Sequence, residues 1–306
     1  MASQVRFWVH HPNTEAAVLA ERAQRVFESV ASSCTRFDPS SALMRANTAA
    51  KNWATLPVEC YDAIAAAYDA HRFTLGLFDP RTLETLTELG YESTLPFESQ
   101  EISLTTSAVA VGAKEHRIRP WKPSFDLARH AVRVGDRPID LGGIGKGLAV
   151  RWSADVLRDA GDAVLIEAGG DVMALGAGPN GDGWMISVEN PSSGSDPVAV
   201  LRLTDRAVAT SSTRIRSWVV DGEQVHHIID PRTRRPAQSF LRAVTVVHSD
   251  PADAEVWSKS LFIAGRSQIR KLSDDKGLAA LWVDVDGRMT MSRAMREFVA
   301  WQVSDV

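Results

Sequence analysis

The chain has 306 residues, 44% of them apolar, enough to bury a substantial core and to exclude a disordered polypeptide. Its formal net charge of −4 offers no basic field for a polyanion, so no nucleic acid is expected as a partner and any phosphate recognition must be local. The two cysteines, Cys34 and Cys60, form no CxxC spacing, which leaves disulfide and zinc frameworks unsupported and predicts reduced thiols.

In chain order, Val5–Val9 alternates as a strand does, and Thr14 to about Val30 sets Ala17, Val18, Ala20, Ala23, Val26 and Phe27 at helical spacing behind a capping Thr14. A second helix is predicted over Val58–Phe73, and a third opens at "GKGLAVRWSADVLRDAG" and stops at Gly161. Strand patterns follow at Ala131–Val134, Ala163–Ile166, Trp184–Val188, Val198–Leu203, Arg216–Val220, Ala243–Val247 and Leu281–Val285. The stretches 174–184 and 189–197 are dense in Gly, Pro, Asn and Asp and read as loops of hairpin size. Helices early and late, with consecutive strands between them, predict an α+β fold: a mixed, largely antiparallel sheet flanked by helices, in a single domain over 1–306. No window approaches ~18 uninterrupted apolar residues, so no membrane span is expected. Charged residues precede any apolar run of signal length, so the expected location is cytoplasmic.

Four clusters collect chemistry. In "DLGGIGKG", Gly142, Gly143, Gly145 and Gly147 lie at a helix start, where bare backbone N–H groups at the positive helix end suit a phosphate and Lys146 adds a movable cation. Neither the Walker nor the Rossmann pattern is met, and tight packing around glycines is the plain alternative. In "EAGGDVMALG", Gly169 and Gly170 precede Asp171 at a strand end, either as a turn or as a second close backbone approach to the same ligand. In "VHHIIDPRTRRPA", His227 is a candidate general base, with Asp230 and Thr233 beside it; a lone strand histidine is otherwise structural. In "DPADAEVWSKSLFIAG", Glu255 and Lys259 stand four apart on one helix face, with Ser258 beside them. They form either a surface ion pair worth ~0.3–0.5 kcal/mol or a cation-handling corner of an active site.

In this order the clusters resemble the ApbE family of FAD:protein FMN transferases over nearly the whole chain. "TRFDPSSALMRAN" at 35–47 looks like its N-terminal motif and "GLFDPRTLETLTELGY" at 76–91 like its "FDPTVGPL…GF" segment. The three clusters at 140–147, 167–176 and 226–236 are similar to its "DLGGIAKG", "NAGGDIRALG" and "HIIDPRTGRP" segments.

The resemblance implies a T-fold-related architecture and a reaction in which FMN passes from FAD to a Thr or Ser hydroxyl of a target protein, releasing AMP. An FAD pyrophosphatase and a non-catalytic FAD-binding protein are the alternatives. It also implies FAD contacts at Met44, Leu77, Phe78, Asp79, Asp140, Lys146 and Thr233, and it makes His227 the base for the acceptor hydroxyl. Magnesium would be held by the Gly143 carbonyl and by an Asp and a Thr four residues apart. Here Glu255 falls at the Asp position, Ser258 next to the last ligand, and Lys259 where Thr is expected. Lys259 cannot ligate a metal while charged, so the expectation is one weakly held Mg²⁺ or none, with Lys259 helping to neutralise the pyrophosphate. "DPRTLETL" also lacks the Gly-Pro of the family segment. Family members are often exported; with a cytoplasmic chain the acceptor would be cytoplasmic too.

Overall fold

A computed structural model of the chain describes residues 4–93, 95, 102–104, 120–192 and 196–303. They gather into two compact units, each assembled from separated stretches of sequence. One takes in Ser29–Gly145 and Thr213–Gln238; the other runs up to Glu28, then through Lys146–Ser212, and from Ser239 onward.

In the second of these units, seven antiparallel strands lie in the order Val5–His10, Ala163–Ala168, Asp171–Leu175, Arg206–Ser212, Leu241–His248, Ala279–Asp284 and Met289–Met291. The apolar run of Ala279–Asp284 is buried at every position, as expected of a strand covered on both faces. The period of two then decides what each face carries. Val172, Ala174, Val208 and Val247 share a core with a second, three-stranded sheet, to which Leu201 and Leu203 belong. Asp171 and Ser211 have the opposite parity, and Ser211 meets the helix Pro251–Ala264, which packs on the strands Arg206–Ser212 and Leu241–His248.

That helix starts cleanly: Asp250 caps it by accepting from Asp253 N at 2.9 Å, Pro251 fills the first turn, and Gly265 ends it at φ +76°. It is buried nearly all round, so its sequence shows no polar stripe. The predicted third helix runs Gly145–Leu157, and Ser153 Oγ donates to Ala23 O (3.2 Å) on the predicted first helix, Ala16–Ser33. At the start of that first helix Asn13, rather than Thr14, supplies the side-chain acceptor, taking Glu15 N at 2.9 Å.

The other unit holds the helix Val58–Phe73 with the predicted bounds, and two shorter helices, Ala42–Ala49 and Leu83–Glu88. Its strands form small ribbons, among them Ser217–Val220 with Glu223–His226, and Ile229–Asp230 with Arg235–Pro236. Cys34 and Cys60 are both buried and free. Among the described residues no helix is long and apolar enough to cross a membrane.

Gly147 sits where the helix Gly145–Leu157 crosses the start of Pro251–Ala264, and a Cβ there would lie 2.6 Å from Ala252 Cα and Pro251 O. A Cβ on Gly145 meets nothing within 4 Å. Gly147→Ala is therefore expected to destabilise the protein by about 1–3 kcal/mol through forced separation of two backbones, and Gly145→Ala by much less. Thermal melts of the two variants check this; equal losses would show that the crossing does not depend on the missing side chain.

Candidate functional site

Each unit carries part of the predicted residue set. In the seven-stranded unit, the Asp171 strand and the two helices bring four charged side chains together. The Lys146 ammonium donates to Asp171 Oδ2 and lies 3.5 Å from Glu255 Oε1, and Lys259 Nζ donates to the same Glu255 oxygen at 3.0 Å. The other Glu255 oxygen, Oε2, accepts Gly147 N at 2.8 Å, a contact that the close helix crossing permits. Asp171 and Glu255 are 2% and 1% exposed, so the i,i+4 pair is not the surface ion pair that spacing alone allows.

Two ammonium groups and two carboxylates thus alternate in a buried, formally neutral quartet. Burial pushes the Asp171 carboxyl up; Lys146 opposes this and Glu255 reinforces it. Burial acts in the same sense on Glu255, but Lys146, Lys259 and the Gly147 N–H overcome it and hold Glu255 well below the usual carboxylate range. Burial pulls Lys259 down, against the attraction of Glu255. Ser258 is fully buried: its Oγ donates to Glu255 O at 2.9 Å and meets Ser211 Oγ at 2.7 Å.

Gly169 and Gly170 form the two-residue turn of the hairpin in which Ala168 pairs with Asp171, at φ +55° and +89°. Two successive positive φ values are what a tight hairpin requires, so the turn reading accounts for both glycines.

In the other unit, Asp140 is anchored from two sides. Its own N–H donates to Pro80 O (2.7 Å), and its Oδ1 accepts Gly142 N (3.1 Å). Asn47 clamps the preceding residue with two hydrogen bonds to Ile139, both 2.9 Å, and sends its amide toward Met44 Sδ at 3.6 Å, which brings Met44 and Asp140 to one place. The Arg36 guanidinium lies 4.3 Å from the ring centres of both Phe37 and Tyr91, donates to Tyr91 O, and points Nε at Asp140 Oδ2 from 3.8 Å. Its buried Nη2 has no hydrogen-bond partner among the described residues. Residue spacing singled out neither Arg36 nor Asn47, although both lie inside the motif at 35–47.

Asp79 and Asp230 head two identical tetrads, Asp-Pro-Arg-Thr, and the two fold alike. Asp79 accepts Arg81 N (2.9 Å) and Arg81 Nε and Nη2 (2.9 and 2.7 Å); Asp230 accepts Arg232 N (2.8 Å), Nε and Nη2 (2.9 and 2.7 Å). Proline fixes the turn and the arginine fork closes it, so both carboxylates serve first as turn anchors. Leu77 is half-buried and Phe78 is buried in front of the first turn; Thr233 follows the second, its N–H donating to Asp230 O at 3.2 Å. Gly143 is half-buried in the turn that Ile144 and Gly145 close by donating to Leu141 O.

Two adjacent histidines are set apart by their partners. His226 Nε2 faces Ala237 O at 3.2 Å and its Nδ1 accepts Ile228 N at 3.3 Å, which fixes the proton on Nε2. His227 Nδ1 faces Arg216 O at 3.2 Å, which puts its proton on Nδ1 and the lone pair on Nε2. Burial lowers His226 from its ordinary value, opposed by the Ala237 carbonyl.

His71, which the motifs did not mark, holds Phe78 in place. Its Nδ1 donates to Phe78 O and its Nε2 accepts Trp121 N, both at 3.1 Å, so both bonds need the neutral ring. Burial lowers this imidazole from its ordinary 6.5 and Arg81 adds to the effect, while Asp79 and the Phe78 carbonyl oppose it. With the folded value depressed, the unfolded chain binds the proton better, so stability is full above 6.5 and falls as pH drops below it. Unfolding free energies from urea melts are expected to fall between about pH 7.5 and about pH 5.5 by up to ~1.4 kcal/mol, the most that one proton bound only by the unfolded chain can remove over about one pH unit below its ordinary value. His71→Gln is expected to lose this part of the slope; an unchanged slope would refute the assignment.

The ApbE family model matches residues 1–282. The FAD:protein FMN transferase of Salmonella typhimurium is 26% identical over 213 residues, 68% of this chain and 61% of that protein. The FAD:protein FMN transferase of Escherichia coli K12 is 26% identical over 172 residues, 56% of this chain and 49% of that protein. The matches thus span about half to three fifths of the length of these two relatives. The crystal structure of the ApbE protein of Thermotoga maritima superposes with a TM-score of 0.80 at 26% identity, over 97% of this chain and 96% of that one. With its model matched from residue 1 to residue 282, the ApbE family is the one to which this chain belongs.

Proposed function

We propose that this protein transfers the FMN moiety of FAD, through a phosphoester bond, to a Thr or Ser hydroxyl of a target protein and releases AMP. The observation that carries the reading is membership in the ApbE family, supported by relatives that bear the name FAD:protein FMN transferase. Residues 1–306 would act as one functional domain, because each compact unit is built from stretches that alternate along the chain and neither is encoded contiguously. A reducing compartment such as the cytoplasm fits the two free cysteines.

The chemistry balances with the groups present. The acceptor hydroxyl attacks the phosphorus on the FMN side of the pyrophosphate, and the bond to the bridging oxygen breaks. AMP leaves with that oxygen, and the hydroxyl proton passes to His227 Nε2, whose lone pair the Arg216 carbonyl sets by holding the proton on Nδ1. Lys146 and Lys259 would neutralise charge on the phosphates. Asp140, Met44, Leu77, Phe78, Asp79 and Thr233 would hold the flavin nucleotide, and Gly169, Gly170 and Asp171 would stand beside it. No step is routed through magnesium, because the surroundings of Glu255 do not fit one: two ammonium groups, Lys259 at 3.0 Å and Lys146 at 3.5 Å, already lie against its Oε1.

The test is mass spectrometry of a Thr- or Ser-bearing acceptor domain co-expressed with the protein. Wild type is expected to add one flavin-phosphate increment, and His227→Ala to lower the rate by about 100- to 10,000-fold, the worth of a positioned general base. AMP and FMN released equally fast without acceptor would assign the site to FAD hydrolysis. FAD retained one per chain without turnover would make this a binding protein.

A further inference from the structure

The place the resemblance gives to a divalent cation is built here for something else. A magnesium site needs hard oxygen donors with lone pairs to spare and a net negative charge. Around Glu255 the structure offers the reverse. Oε1 accepts Lys259 Nζ at 3.0 Å and has Lys146 Nζ at 3.5 Å; Oε2 accepts Gly147 N at 2.8 Å. Asp171 is engaged by Lys146. Ser258 turns its proton back to the Glu255 carbonyl and takes up Ser211 with its oxygen. A dication added to the quartet would meet two ammonium groups in dry surroundings before it reached a carboxylate.

We propose that the Lys259 ammonium stands where the divalent cation would be, so that this protein holds its dinucleotide with a built-in cation and without magnesium. The Glu255 carboxylate aims that ammonium, and the Gly147 N–H fixes the carboxylate. The proposal rests on the reading of FAD as substrate, but its cation part can be measured without any nucleotide.

Two titrations of the 306-residue protein test it. The first follows Mn²⁺ by electron paramagnetic resonance without nucleotide. Wild type is expected to take up no stoichiometric Mn²⁺ below ~1 mM, whereas Lys259→Thr, which exchanges an ammonium for an oxygen ligand, is expected to bind at least about tenfold more tightly. The second measures FAD affinity by calorimetry with EDTA and with excess Mg²⁺. By linkage, a metal that has no site leaves the nucleotide's affinity within about twofold.

One Mn²⁺ per wild-type chain at micromolar concentration overturns the proposal, as does a rise of about tenfold or more in FAD affinity on adding Mg²⁺. Both outcomes are read on wild type, so a variant that fails to fold does not rescue the idea. If FAD binds under neither condition, the transferase reading falls, and the Mn²⁺ titration still decides whether Lys259 has replaced the ion.

Discussion

The Glu255 carboxylate is the point on which the rest of its unit turns. An ion this deeply buried costs several kcal/mol in lost hydration and is tolerated only when its lone pairs are filled. Two donors bond to it and a second ammonium lies 3.5 Å away, and each constrains a different piece of chain. Gly147 N ties down the first turn of one helix, Lys259 holds a neighbouring turn of the same helix as Glu255, and Lys146 links the carboxylate to Asp171 on the sheet. The glycine comes first in the logic. Only without a Cβ at 147 do the helices approach closely enough for a backbone N–H to reach Oε2. The glycine-rich segment is thus explained by packing at Gly147 but not at Gly145, where a Cβ would meet nothing within 4 Å.

The unit that holds Ser29–Gly145 and Thr213–Gln238 solves a related problem with turns. Its carboxylates at Asp79 and Asp230 lie beside Pro80 and Pro231, and each is closed by the arginine two residues on. A planar guanidinium that takes both carboxylate oxygens fixes orientation as well as distance, which a lysine would not do. Such a turn presents its flanking residues, Phe78 in one case and Thr233 in the other, on a backbone with little freedom. Asp38 makes the simpler version, accepting Ser40 N and Ser40 Oγ at 2.8 and 2.7 Å, and being fully exposed it needs no arginine. Burial decides which version is used.

This division explains what the sequence could and could not disclose. The helices Ala16–Ser33, Val58–Phe73 and Gly145–Leu157 and many of the strands were legible, because their apolar residues recur at periods of two and of 3.6, but Asp171–Leu175 and Arg206–Ser212 inside the seven-stranded sheet were not. The helix Ala42–Ala49 was not, being too short to show a period, although Ser41 at its start carries the cap, accepting Met44 N at 3.1 Å. The pairing of Glu255 with Lys259 was legible as spacing, but spacing is blind to burial. Seeing the pair as buried requires that the whole helix be covered and that Asp171 have the parity that faces a helix rather than the second sheet. The partnership of Lys146 with Asp171 crosses 25 residues, and the clamp from Asn47 to Ile139 crosses 92. Neither follows from any local pattern.

His226 and His227 are likewise told apart only by distant partners. Both are half-buried strand-end imidazoles in a run of two, and composition treats them alike. Their hydrogen bonds do not. His226 spends one ring nitrogen on a carbonyl and the other on a backbone N–H, so both of its ring nitrogens are committed to the local chain. His227 shows its carbonyl contact at Nδ1, the nitrogen nearer the backbone, which leaves the basic lone pair on the outer end of the ring. The two neighbours are thus opposite tautomers, His226 with its proton on Nε2 and His227 with its proton on Nδ1. The selection rests on the Arg216 carbonyl, a backbone group, so it is a property of the fold around residues 216–227 rather than of the residue type.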